Sequence, residues 1–145
     1  MDERLVQFLA RAEAFMARVE GSLPHGLEQP DWNASIAFRY RRRSSGQGVI
    51  SAVRHVGSMA LSDLKEIDAQ KEKIQRNTAQ FVSGAAANNV LLTGARGTGK
   101  SSLIRACLHT YASQGLRLIE VDKADLVDLP DIVELVGQRP EKFIV

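Results

Sequence analysis

Asn89-Val90-Leu91-Leu92-Thr93-Gly94-Ala95-Arg96-Gly97-Thr98-Gly99-Lys100-Ser101 is the stretch that decides the fold. Val90, Leu91 and Leu92 form a short apolar run that reads as a strand. Leu103, Ile104, Cys107, Leu108 and Tyr111 then recur at helical spacing, and Gly115 ends the stripe. Between them lies G-x-x-x-x-G-K-[ST], the pattern of a P-loop. Its chemistry is main-chain chemistry. Gly94, Gly97 and Gly99 let the backbone curl until successive N–H groups face one anion. A helix springing from Lys100 adds its unpaired N–H groups and the positive end of its dipole. Lys100 supplies a point charge for the β- and γ-phosphates, and the Ser101 hydroxyl suits the accompanying magnesium ion. A side chain at Gly99 would crowd the bound oxygens. Strand, glycine loop and helix in this order predict a site for ATP with Mg2+, or for a similar nucleotide.

Working outward, Leu116 to Asp122 reads as a second strand, and Leu129-Pro130-Asp131 opens another helix. Proline suits the first helical turn, Asp128 is the candidate N-cap, and Gly137 with Pro140 closes the helix. Phe143-Ile144-Val145 begins a third apolar strand. Strand, helix, strand, helix, strand is the βαβ pattern of a parallel sheet covered by helices. Upstream, Ser62 to Val82 reads as helix in two pieces, with Leu64, Ile67, Ile74 and Phe81 on one side. The N-terminal part stands apart from this pattern. Leu5, Phe8, Leu9, Ala12, Phe15, Met16 and Val19 make an amphipathic helix that is expected to cover the core, and Gly21 sits where a left-handed cap belongs. Ser22 to Asn33, with Pro24, Gly26 and Pro30, reads as a connector. Ile36, Phe38 and Tyr40, then Val49 to Val56, read as a hairpin around the loop 44–48. The division expected is an extension over 1–61 and the N-terminal part of a nucleotide-binding domain over 62–145.

Composition narrows the classes. Of 145 residues, 44% are hydrophobic and 25% charged, the balance of an ordinary folded domain, and no apolar run is long enough to span a bilayer. Cys107 is the only cysteine, so an internal disulfide and a cysteine-based zinc site are excluded, and a cytoplasmic location is the default. Cys107 lies on the stripe of the helix after the loop and reads as a buried thiol. His25, His55 and His109 have no metal-ligand spacing. The net charge of +2 implies no nucleic acid. Arg39, Arg41, Arg42 and Arg43 beside Phe38 and Tyr40 could meet nucleic-acid phosphates and bases, but a strand edge guarded by charge is the preferred reading.

Hydrolysis needs more than a phosphate cradle. An acid must hold the metal shell, and another group must orient the attacking water. Asp122 ends the strand that follows the loop helix directly, whereas the better position for that acid is the far end of the strand starting at Phe143. The chain is therefore expected to be a piece of a larger ATPase, with an incomplete sheet and weak or absent hydrolysis. A small phosphotransferase using Asp122 or Asp125, and a non-catalytic nucleotide-binding remnant, are the alternatives.

The residues from Ala87 to Leu103, then Gly115 to Lys123, then Leu126 to Ile132, resemble a family of bacterial AAA+ ATPases known mainly as a domain of unknown function. Leu64-Lys65-Glu66-Ile67-Asp68 with Gln70-Lys71-Glu72, and Ile36 to Tyr40, resemble the family's preceding segments. The resemblance implies an α/β core of P-loop, AAA+ type. It puts the nucleotide on Gly94, Ala95, Arg96, Gly97, Thr98, Gly99, Lys100, Ser101 and Ser102, with Ile67 and Asp68 near the adenine. It implies that full-length relatives hydrolyse ATP and can assemble as homo-oligomers.

Overall fold

The computed structural model describes residues 2–23 and 25–145. Pro24, one of the connector's turn residues, lies outside the described residues. Among the described residues, four helices and four strands follow one another as α1 (Glu3–Glu20), β1 (Ala37–Arg42), β2 (Gly48–Ala52), α2 (Asp68–Val82), α3 (Lys100–Tyr111), β3 (Leu116–Val121), α4 (Leu129–Val136) and β4 (Lys142–Ile144), with short 3-10 turns at 61–63, 112–114 and 123–128. The strands form one sheet in the order β2-β1-β3-β4. The pairs β1–β3 and β3–β4 are parallel, and β1–β2 is the antiparallel hairpin. The fold is α/β with a mixed, mostly parallel sheet.

The hairpin forms where its alternating residues place it, but it is no separate extension. Ala37 to Tyr40 pair with Leu118 to Val121, so β1 is an interior strand and β2 the edge. Alternation explains why. Ala37 points to one face, with Leu116 and Leu118, and meets Leu108 and Tyr111 of α3. Phe38 and Tyr40 point to the other, with Ile119, and meet Ile132 of α4. Both faces of β1 and β3 carry apolar side chains, as strands covered on both sides must. The charge-guarded edge expected of the arginine run is therefore corrected: Arg39 to Arg42 lie on a strand with a neighbour on each side.

The connector also does more than connect. Trp32 is buried, stacking edge-on against Phe38 at 4.6 Å and Phe143 at 4.7 Å between ring centroids. Its indole N–H donates to Gln29 Oε1 at 2.6 Å, and Gln29 Nε2 donates to the Leu135 carbonyl at 2.8 Å. A lone aromatic just after Pro24, Gly26 and Pro30 shows no periodicity, so its burial leaves no trace in local pattern.

Three further expectations are corrected. Gly21 caps α1 in right-handed geometry (φ −66°) and not left-handed, because the chain continues into a helix-like turn held by Ser22 and Leu23 N–H bonds to the Val19 carbonyl. Asp128 stands at the N-cap position of α4 as expected, but its carboxylate makes no cap bond, because it is turned toward Arg42 and Tyr40. The amphipathic face of α1 covers nothing: no residue of α1 is buried, and Phe8 and Phe15 are each 66% exposed. Gly115, by contrast, takes the left-handed conformation (φ 93°) that ends the turn after α3 and starts β3.

Candidate functional site

The loop entering α3 is built from backbone conformations that only glycine adopts easily. Gly94, Gly97 and Gly99 have φ of 144°, 79° and 85°, values that carry a Cβ into the neighbouring carbonyl oxygen. Space adds a second constraint at Gly94, where a Cβ would lie 3.2 Å from Thr98 Oγ1 and 3.8 Å from Lys100 Nζ. At Gly99 a Cβ would meet no protein atom within 4 Å, so there the requirement is conformational. The left-handed turn at Gly99 delivers the chain into α3 at Lys100 with no side chain capping the helix N-terminus. Leu103 N–H closes the first helical bond on the Gly99 carbonyl at 2.8 Å.

Lys100 folds back into the loop. Its ammonium donates to the Gly94 carbonyl at 2.7 Å, the Ala95 carbonyl at 2.6 Å and Thr98 Oγ1 at 3.2 Å. Three donors on one nitrogen thus meet three oxygens of one loop, and the charge sits where the loop's curvature converges. Thr98 Oγ1 also donates to the Ala95 carbonyl at 2.8 Å, closing the turn from inside. Ala95, Arg96 and Ser101 are exposed around this centre, while Ser102 is half-buried behind Ser101.

Helix α3 is anchored below the loop. Leu103, Ala106 and Cys107 pack with Leu64, and Ile67, Ile74 and Leu92 lean on the same cluster. Burial pushes the Cys107 thiol pKa up, as suits a packing residue and not a nucleophile. Ile67, at the start of α2, thus reaches the base of α3. Asp68 does not join it: its carboxylate is exposed and pairs with Lys71 Nζ at 3.2 Å. Glu66, just before, is the one non-glycine with positive φ (63°) among the described residues.

The segment leading into the loop departs from expectation. Asn89–Thr93 makes no ladder, and Leu91 is 86% exposed. Both flanks of β1 and of β3 are already taken, so no interior position is open to it. It is held from the helical side instead. The Asn77 side chain clasps the backbone of Asn88 with bonds of 2.8 and 2.9 Å, and Leu92 leans on Leu103.

A second polar centre lies away from the loop. Arg42 forms a two-pronged ion pair with the buried Asp128, which also accepts from the Tyr40 hydroxyl at 2.7 Å. Arg42, then Tyr40, hold the Asp128 carboxyl below its ordinary range. Burial first, and then Asp128, push the Tyr40 phenol up to about 12. A cleft of about 550 Å³ opens beside them, bordered by Gln47 and Glu134. The acid and the guanidinium satisfy each other, so the pair ties β1 to the turn before α4. Arg39 is likewise engaged, donating to Glu120 at 2.7 Å. Asp125 makes only a long 3.5 Å contact with the Arg42 N–H, and Asp122 is exposed past the end of β3. His109 Nε2 lies 2.8 Å from the Gly57 carbonyl, and among the described residues no group of three or more His, Cys, Asp or Glu side chains is placed to hold a metal.

The model of a family described as a protein of unknown function, DUF815, matches residues 33–145. The chain belongs to the DUF815 family. Neither the curated proteins nor the solved structures compared give a match. The DUF815 match starts at Asn33, so it takes in the hairpin, the glycine loop and α4 but not α1. No helix among the described residues is long and apolar enough to cross a membrane. Sequence reasoning found the loop because its residues are contiguous. It missed Trp32 and the Arg42–Asp128 pair, whose members lie 86 positions apart and carry no local signal.

Proposed function

We propose that this DUF815 chain binds the phosphates of ATP, with Mg2+, at residues 94–102, as a P-loop protein of AAA+ type does. The observation that carries the reading is the Lys100 ammonium held inside a loop of three left-handed glycines, at the uncapped start of α3. The ammonium and the uncapped helix N-terminal amides are donors at this place, and loop amides would join them around a bound phosphate. A polyphosphate matches that donor set, and its anionic oxygens accept from an ammonium more strongly than the neutral carbonyls of Gly94 and Ala95 do. Lys100 would exchange those carbonyls for phosphate oxygen without moving far. The Ser101 hydroxyl, exposed on the first turn, would meet the metal, which neutralises phosphate charge when bound. The packing of Ile67 at the foot of α3 supports placing the adenine on that side; Asp68, engaged with Lys71, would have to release that partner to take part.

Thermal unfolding with and without MgATP tests this. A ligand at 100 times its dissociation constant stabilises the native state by about 2.7 kcal/mol, a shift of about 8 °C for a chain of this size. Lys100→Ala should abolish the shift while leaving the unliganded melt within about 1 °C. Equal shifts for both proteins, or none for either, would refute the proposal.

A further inference from the structure

The stripe on α1 is an apolar surface that the fold leaves open. Leu5, Phe8, Leu9, Phe15, Met16 and Val19 are between 41% and 66% exposed. Leu5, Phe8, Ala12, Phe15 and Val19 follow one another at spacings of three and four, the alternation of a two-helix seam. The charges beside the seam are sorted. At about 100° per residue, Arg4, Arg11 and Arg18 form a row roughly 100° to one side of the stripe's centre. Glu13 and Glu20 lie roughly 90° to the other side, and Glu3 falls on the back. The helix carries three arginines and three glutamates, so it offers an anionic membrane no net attraction.

We propose that α1 pairs in parallel with α1 of a second copy of this chain. The direction follows from the flanks. In a parallel twofold pair the arginine side of each helix faces the glutamate side of the other. Arg11 and Arg18 then stand two residues, about 3 Å along the axis, from Glu13 and Glu20 of the second copy. Turning one helix over sets arginine against arginine and glutamate against glutamate. Phe8 and Phe15 occupy the centre of the seam, and burying both rings is the main gain of association. The inference is independent of the nucleotide site, since α1 lies outside the matched family region and contributes no residue to the apolar cluster under the loop.

Sedimentation equilibrium on the whole chain measures the mass directly, with twice 15.9 kDa expected. Phe8→Ser with Phe15→Ser should yield a monomer that melts at the temperature of the wild-type chain diluted below its dissociation constant, since neither ring is buried in the single copy. Arg11→Glu with Arg18→Glu should raise the dissociation constant at least tenfold, and adding Glu13→Arg and Glu20→Arg should restore it. In a Cys107→Ser background, Leu5→Cys should form a disulfide-linked dimer under mild oxidation, because parallel pairing sets the two copies of position 5 side by side. A monomer at all concentrations, or a dimer unaffected by the phenylalanine substitutions, would overturn the proposal. So would a melting temperature lowered below that of the diluted wild-type monomer, the sign that the stripe folds onto its own chain, or capture of a monomer by anionic phospholipid vesicles.

Discussion

Gly48→Ala probes how the hairpin is locked to the turn before α4. Gly48 faces Arg42 across the antiparallel ladder, and the Tyr40 ring leans diagonally over it. A Cβ at position 48 would lie 2.7 Å from Tyr40 Cε2 and 2.9 Å from Cζ, with Oη closer still. Carbon atoms do not approach within about 3.5 Å without repulsion, so the ring must move by most of an ångström. Its freedom to do so is limited, because Tyr40 is buried between Ile50, Ile119 and the Asp128 carboxylate. Overpacking of this kind costs about 2 kcal/mol, or about 6 °C in melting temperature for a chain of this size. Urea denaturation followed by Trp32 fluorescence measures it, since the indole sits in the same cluster. The same substitution in a Tyr40→Leu background supplies the control. Leucine has none of the three atoms that crowd position 48, so the added cost should fall below about 0.5 kcal/mol. A single substitution that costs as little in the presence of Tyr40, or as much in its absence, would refute the packing argument.

Three further outcomes follow from the same geometry. Tyr40 should titrate near its raised pKa of about 12 in the folded protein, read by absorbance at alkaline pH. Because the unfolded phenol ionises near 10, stability is fully present below that pH and should fall between 10 and 12, with Tyr40→Phe flattening the decline. At the acid end the sign reverses. Asp128 and Glu141 are held below their ordinary values by Arg42 and Arg139, so their contribution is present above the ordinary carboxylate range and lost as pH falls through the lowered values. Gly99→Ala forces a side chain into φ 85° and should weaken MgATP binding about tenfold, roughly 1.4 kcal/mol of backbone strain, as measured by calorimetric titration. Gly21→Ala, at φ −66°, should leave both binding and stability unchanged and serves as the matched control.

What could be read from residues alone was what is local. The glycine loop, the stripe of α3, Gly115 and the alternation of the hairpin each depend on neighbours within a few positions, and each forms where its spacing puts it. Apart from the local turn at Gly21, the errors originate in long-range pairing. Whether Ala37 to Tyr40 lie at an edge or inside a sheet depends on Leu118 to Val121, some 80 positions later. Whether Val90 and Leu91 form a strand depends on a vacant flank, and the sheet offers none inside. An amphipathic stripe specifies that a helix has something to cover, not that its own chain supplies it, and α1 shows the difference.

The most direct test of the central claim is to follow backbone amide resonances during a titration with MgATP. Gly97, Gly99, Lys100, Ser101 and Ser102 should show the largest amide shifts, saturating together, with β1 and the Arg42–Asp128 centre undisturbed. No change at these amides up to about 1 mM nucleotide, or saturable shifts confined to the cleft beside Tyr40 and Gln47, would contradict it.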